Sequence, residues 1–199
     1  MKALLAWLLM ALAGSAAVIH IEGPLPFPVG VGSGTVSACG TNGPVLMDEN
    51  QGTKGPYPWN LAVSGLLGPV TSVTVTLTNL THAFPSDLHF LLVSPNGTAM
   101  KFYGAAGGEL DVTNVTITLA DAATDYLPEP LVTGTYKPTE VDPSYVFPAG
   151  PPVGPYATNF SVFTGMAAGD ANGLWLVYAA DAVALDGGSL TNVCVNVSY

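Results

Sequence analysis

Ser72-Val73-Thr74-Val75-Thr76-Leu77-Thr78 alternates without a break, with Val73, Val75 and Leu77 on one face and the serine and threonines on the other. A period of two is the mark of a strand with one buried and one solvated face. The same pattern returns in Asn114 to Leu119, where Val115, Ile117 and Leu119 share a face. It returns again at the end of the chain, where Val193, Val195, Val197 and Tyr199 oppose Asn192, Cys194, Asn196 and Ser198. Leu88 to Val93 and Leu174 to Ala180 are apolar on nearly both faces, as expected of central strands covered on both sides. Turn signals separate these runs: Ser94-Pro95-Asn96-Gly97, Gly104 to Gly108, Gly169 to Gly173 and Asp186-Gly187-Gly188. No amphipathic helix stands out. Many short strands with abundant Gly and Pro predict an all-β antiparallel sandwich, with a jelly roll as the expected topology.

Two segments depart from this rhythm. Tyr126 to Tyr156 is crowded with prolines and short of periodicity, which predicts an ordered surface excursion, since proline restricts the chain before folding. Ile19 to Gly55 shows only a short strand near Thr35 to Ala38. Ahead of it, Met1-Lys2 leads into an uncharged run to Ala13 and then small residues, the layout of a secretory signal peptide covering residues 1–17. The run is too short to span a bilayer, which takes roughly 20 residues. Residues 18–56 then form an N-terminal arm and 57–199 the sandwich. The expected product is a secreted, soluble chain without membrane insertion.

After the leader, Lys54, Lys101 and Lys137 are the only cationic side chains besides histidine, against 14 carboxylates in the whole sequence. Binding to nucleic acid needs clustered Lys and Arg to neutralise phosphates, so it is excluded, as is an electrostatic grip on anionic lipid. Acidity suits solubility and tolerates divalent cations. The two cysteines, Cys39 and Cys194, lie near opposite ends of the chain. An isolated pair in an oxidising compartment predicts a disulfide. Because Cys194 is on the polar face of its strand, the bridge is expected to lay the arm across the outside of the sheet. Pinning so long a loop adds roughly 2 to 4 kcal/mol.

Two clusters carry more than composition. His82-Ala83-Phe84-Pro85-Ser86-Asp87-Leu88 runs into an apolar strand and then Ser94-Pro95-Asn96-Gly97-Thr98. Later come Phe163-Thr164-Gly165, Gly173-Leu174-Trp175, Asp181 and Gly188-Ser189-Leu190. In order and spacing, over about 140 residues from Tyr57 to Tyr199, these resemble the P domain (Homo B domain) found beside subtilisin-like proprotein convertases. Tyr57-Pro58, Gly134 to Thr139 and Gly154 to Tyr156 are similar to its bacterial secreted forms. The chain departs from the pattern at Pro85-Ser86, where convertases carry Arg-Gly, and at Val193, where a tryptophan is common. The resemblance implies a jelly roll of the galactose-binding type and an accessory, non-catalytic module that binds or stabilises another extracellular protein.

The matched residues make sense as architecture. Trp175 is expected to plug the space between the sheets, with its indole N–H seeking an acceptor. Gly97 and Gly173 sit at reversals that favour a residue without Cβ, and Gly188 opens the last hairpin. Asp87 and Asp181, at strand ends, can cap turn amides or bind a cation. Together with Asp121 and Asp186 they are the candidate calcium ligands, calcium wanting six to eight oxygens. Asp170-Ala171-Asn172-Gly173 has the look of a calcium loop but lacks its other acids, and reads as a plain turn. His82 with Asp87 could pair as base and orienter, yet no serine-protease triad context and no Gly-x-Ser-x-Gly elbow accompany them. Hence no enzyme is expected, an orphan secreted hydrolase being the remotest alternative. A glycan-binding jelly roll is the nearer one, with Tyr126, Tyr136, Tyr145 and Tyr156 on the excursion available to stack on sugar rings.

Overall fold

A computed structural model describes residues 32–40, the backbone of 45–47, and residues 56–184 and 186–199. Residues 1–17, where a leader is expected, and most of residues 18–56, the expected arm, lie outside the described residues. The alternation at Ser72 does make a strand, β4 (Ser72–His82), which anchors one sheet. On one side β4 pairs with β12 (Asn192–Ser198) and, further along, with β11 (Gly188–Leu190), which pairs in turn with β2 (Val45–Met47). On its other side lies β7 (Val112–Ala120), followed by β8 (Gly134–Tyr136). The second sheet runs β3 (Trp59–Val63), β10 (Gly173–Asp181), β5 (Leu88–Val93), β6 (Ala99–Gly104), β9 (Thr139–Glu140). Inward faces from both sheets interlock in one apolar core that includes Trp59, Trp175, Phe90, Phe102, Phe160 and Phe163. The expected two-sheet sandwich is therefore present. The sheets are mixed rather than purely antiparallel, because β6 with β9 and β7 with β8 are parallel pairs.

β5 is buried at every residue, as its two-faced apolarity predicts. β10 is buried on both faces only from Val177 onward; before that Trp175 points into the core while Leu174 is 53% exposed. β4 carries an irregularity that the heptapeptide does not reveal. Its inward residues are Val73, Val75 and Leu77, then Leu80 and His82, so the phase flips at Asn79. Asn79 and, on the neighbouring β7, Asn114 both adopt φ of 54°, a left-handed conformation that asparagine tolerates better than most residues. The register slips there, as at a β-bulge. The amides of Asn79 and Asn114 donate to the hydroxyls of Thr116 and Thr81 on the opposite strand.

The arm behaves differently from the expectation. β1 (Thr35–Gly40) does not cross the outside of the sheet but extends it, pairing antiparallel with β12 as the edge strand. Cys39 stands directly opposite Cys194, and the two form a disulfide with Cα atoms 4.1 Å apart. Strand periodicity explains the correction. Ala38 and Gly40 point into the core, so Cys39 faces outward like Cys194, and the bridge fastens the two neighbouring strands at a single rung.

Candidate functional site

The outward face of the second sheet presents His89, Leu91 and Val93 from β5, Lys101 from β6, and Tyr178 and Ala180 from β10, by the alternation of strand side chains. An apolar outer face needs a cover, and the proline-rich excursion supplies it. The chain leaves β9 with the Val141 amide bonded to the Gly104 carbonyl, and returns where the Lys101 amide bonds the Ala157 carbonyl. Both ends of residues 141–157 are thus fastened to β6. Phe147 is the buried anchor, packing with Tyr145 and Tyr156 over Leu91, Val93, Tyr178 and Ala180. Phe147 meets Tyr145 and Tyr156 edge to face, at 5.3 and 6.0 Å between ring centres. Tyrosine hydroxyls tie the backbone down: Tyr57 donates to the Pro148 carbonyl, Tyr178 to Gly150 and Tyr156 to Pro152.

Charged groups are sealed at the base of this cover. Lys101 is 3% exposed; its Nζ lies 2.9 Å from Glu140 Oε2 and donates to the Asp142 carbonyl at 2.7 Å. Burial raises the Glu140 carboxyl above its ordinary range, although Lys101 pulls it down. His89 is stacked flat on Tyr145, with ring centres 3.7 Å apart. Burial, reinforced by the Lys101 charge, lowers its pKa to about 4.

That depression has a measurable consequence. The unfolded histidine titrates near 6.5, so between there and about 4 the unfolded chain binds more protons than the folded one. Stability contributed by neutral His89 is complete above the unfolded value and is lost as pH falls toward 4, by roughly 3 kcal/mol at the lower end. Glu140 and Asp87, both raised, act in the opposite sense, their contribution fading as pH rises through the folded pKa. Urea unfolding of wild type and His89→Phe from pH 4 to 7 isolates the histidine. The wild type should lose stability relative to the variant as pH drops, and parallel curves would refute the assignment.

Between the walls of the excursion lies a cleft of about 490 Å³, lined by Pro143 to Pro148, Pro151 to Tyr156 and, at its base, Lys101 and Glu140. Val146 and Val153 stand on it 84% and 97% exposed. A shallower hollow of about 660 Å³ shares Glu140, Pro143 and Thr158 with it and is lined further by Asp121, Tyr126, Lys137 and Asn159. Of the four tyrosines singled out from sequence, Tyr145 and Tyr156 line the cleft and pack its floor. Tyr126 lines the hollow, 63% exposed, with Lys137 Nζ 5.3 Å from its ring centre. Tyr136 packs against the main core and donates to the Val132 carbonyl.

Four other candidate residues, Asp87, Asp181, Asp186 and Gly188, gather around His82. It pairs with Asp181 rather than with Asp87: Nε2 donates to Asp181 Oδ2 at 3.0 Å, and Nδ1 accepts the Phe84 amide. Both residues are at most 2% exposed, and Gly188 is packed against the imidazole, where a Cβ would collide. Asp87 is nearby, its pKa raised by burial first and then by Asp181, with Asp186 adding to the effect. Asp121 is committed elsewhere, its two oxygens accepting the Phe160 and Ser161 amides at 2.9 and 2.7 Å. Among the described residues, no three His, Cys, Asp or Glu side chains converge as a metal ion would require. The segment is not the plain turn expected: Ala168–Ala171 form a single helical turn, and Asn172, which caps it, is hydrogen-bonded through its side chain to both backbone groups of Leu66. Gly97 and Gly173 have φ of 88° and 145°, and a Cβ on Gly173 would press on Pro95. Lys101, Glu140 and Phe147, which line the cleft, carry no motif that singles them out in the sequence.

No family model matches the chain, and no curated protein matches it. Among solved structures it is similar to the complex of the Aeromonas sobria serine protease with its chaperone, at 11% identity and TM-score 0.39 over 84% of this chain and 26% of the other. It is likewise similar to the serine protease of Aeromonas sobria, at 12% identity and TM-score 0.38 over 89% and 28%. The chain spans about a quarter of the length of these two.

Proposed function

We propose that this chain is a non-catalytic, secreted module of P-domain type that binds or stabilises another extracellular protein through the cleft on its second sheet. The observation that carries the reading is the cleft itself: an apolar hollow on a rigid scaffold, with Val146 and Val153 held out in solvent beside it. Exposed apolar surface of this kind marks a place where another protein sits. The P-domain reading is supported by the way the two sequence clusters meet, since His82 from the first bonds Asp181 and packs on Gly188 from the second. A non-catalytic role is supported by the same contact, because both nitrogens of His82 are engaged and neither is available as a base. Among the described residues no helix is long and apolar enough to cross a membrane.

The test is retention of proteins from the producer's culture medium on the immobilised chain. A specific protein should be held by the wild type and lost with Val146→Asn/Val153→Asn, a pair so exposed that folding is unaffected. Retention indifferent to that pair sinks the reading. A glycan array run alongside should stay silent; saturable binding lost on Tyr126→Ala would move the function to carbohydrate.

A further inference from the structure

What the cleft accepts can be read from its chemistry. The whole chain sets 14 acidic residues against four basic ones, and among the described residues the cationic side chains besides histidine are Lys101 and Lys137. Lys101, the cation at the cleft's base, is spent on Glu140 and the Asp142 carbonyl, so it offers no charge to a carboxylate or phosphate. The hydroxyls of Tyr156, Tyr57 and Tyr178 donate inward to the excursion's own carbonyls, and the prolines of the walls have no N–H to give. A sugar, whose recognition needs convergent donors and acceptors, finds few here. Apolar contact with Val146, Val153 and the proline rings remains, on a chain whose formal net charge is −10.

We infer that the cleft docks an extended apolar segment of a protein partner, flanked by lysine or arginine. The inference rests on the reading of the cleft as a docking face and adds the partner's chemistry. Anisotropy with the full chain and two fluorescent peptides tests it. Both peptides share a Leu-Pro-Val-Leu-Pro centre; one is flanked by lysines and the other by glutamates. The lysine peptide should bind at least about tenfold tighter, lose most of that advantage as salt rises from about 0.05 to about 0.5 M, and weaken about tenfold on Val146→Asn/Val153→Asn. Equal binding of both peptides, lost in the double variant, would overturn the charge preference and leave the docking face standing. Binding of the lysine peptide that ignores the double variant would also overturn the inference, placing the attraction elsewhere on the surface. If neither peptide binds, inference and docking face both fall.

Discussion

Trp175→Ala should lower the melting temperature by about 10 °C, the effect of losing about 4 kcal/mol from a domain of this size. The indole is fully buried, packs edge to face on Phe163 with ring centres 5.0 Å apart, and donates to the Ala171 carbonyl at 2.8 Å. Alanine removes the apolar area, opens a cavity between the sheets that neighbouring strands cannot close, and leaves that carbonyl short of its donor. Trp175→Phe keeps most of the volume and should cost only about 1 to 2 kcal/mol, separating the hydrogen bond from the packing. Leu174→Ala, one residue away but half-exposed, is the control and should stay within about 0.5 kcal/mol. Urea titrations check all three, with the denaturant slope unchanged if only stability moves. A Trp175→Ala midpoint close to wild type would mean that the sheets are not held together through this side chain.

Trp175 also shows what kind of information was legible in the sequence. The Gly-x-Trp pattern of the P-domain resemblance singled it out, and its large apolar ring beside an apolar run then fitted a plug between sheets. The alternation of β4, β7 and β12 was legible because burial on one face writes itself directly into a period of two. The bulge at Asn79 was not, since a phase slip of one residue looks like the end of a strand when the partner strand is unknown. Nor were the parallel pairs, which join two- and three-residue strands of the excursion to β6 and β7. Such short pieces carry no periodicity, and backbone partners across a sheet leave no mark on side-chain identity. For β1, the polar face of Cys194 was legible, but whether the bridged arm crosses the sheet or extends it depends on backbone pairing alone.

The cleft was hidden for a related reason. Lys101 reads as an ordinary solvated lysine and Glu140 as an ordinary acid in a proline-rich loop, 39 positions apart. Only the pairing of β9 with β6, and the fastening of both ends of the excursion to β6, bring them to 2.9 Å and bury them. Prolines forecast an ordered excursion but not the face it would cover. Tyrosines forecast stacking, yet Tyr145 stacks on His89 inside the protein, while Tyr126 keeps most of its ring in water.

Asp181→Ala should destabilise the fold by about 3 to 5 kcal/mol, again a fall in melting temperature near 10 °C. The carboxylate holds two donors at once: Oδ2 takes the His82 Nε2–H at 3.0 Å and Oδ1 takes the Val183 amide at 3.2 Å. His82 has no other use for that proton, because Nδ1 already accepts from Phe84. Removing the carboxylate strands a buried N–H in a space 1% exposed, with Gly188 closing the far side. Asp181→Asn keeps an acceptor for the imidazole and should lose about 1 to 2 kcal/mol, so the gap between the two variants measures the stranded donor rather than the missing volume. A second readout distinguishes this electrostatic account from general loosening. The Asp87 carboxyl is raised by burial and then by the Asp181 charge, so in Asp181→Asn its titration, followed by carboxyl-carbon NMR, should move down toward the ordinary aspartate range. An unmoved Asp87 would show that burial alone sets its pKa. An Asp181→Ala protein as stable as Asp181→Asn would show that His82 finds another acceptor, and that the contact joining the two sequence clusters is not what holds this end of the sandwich together.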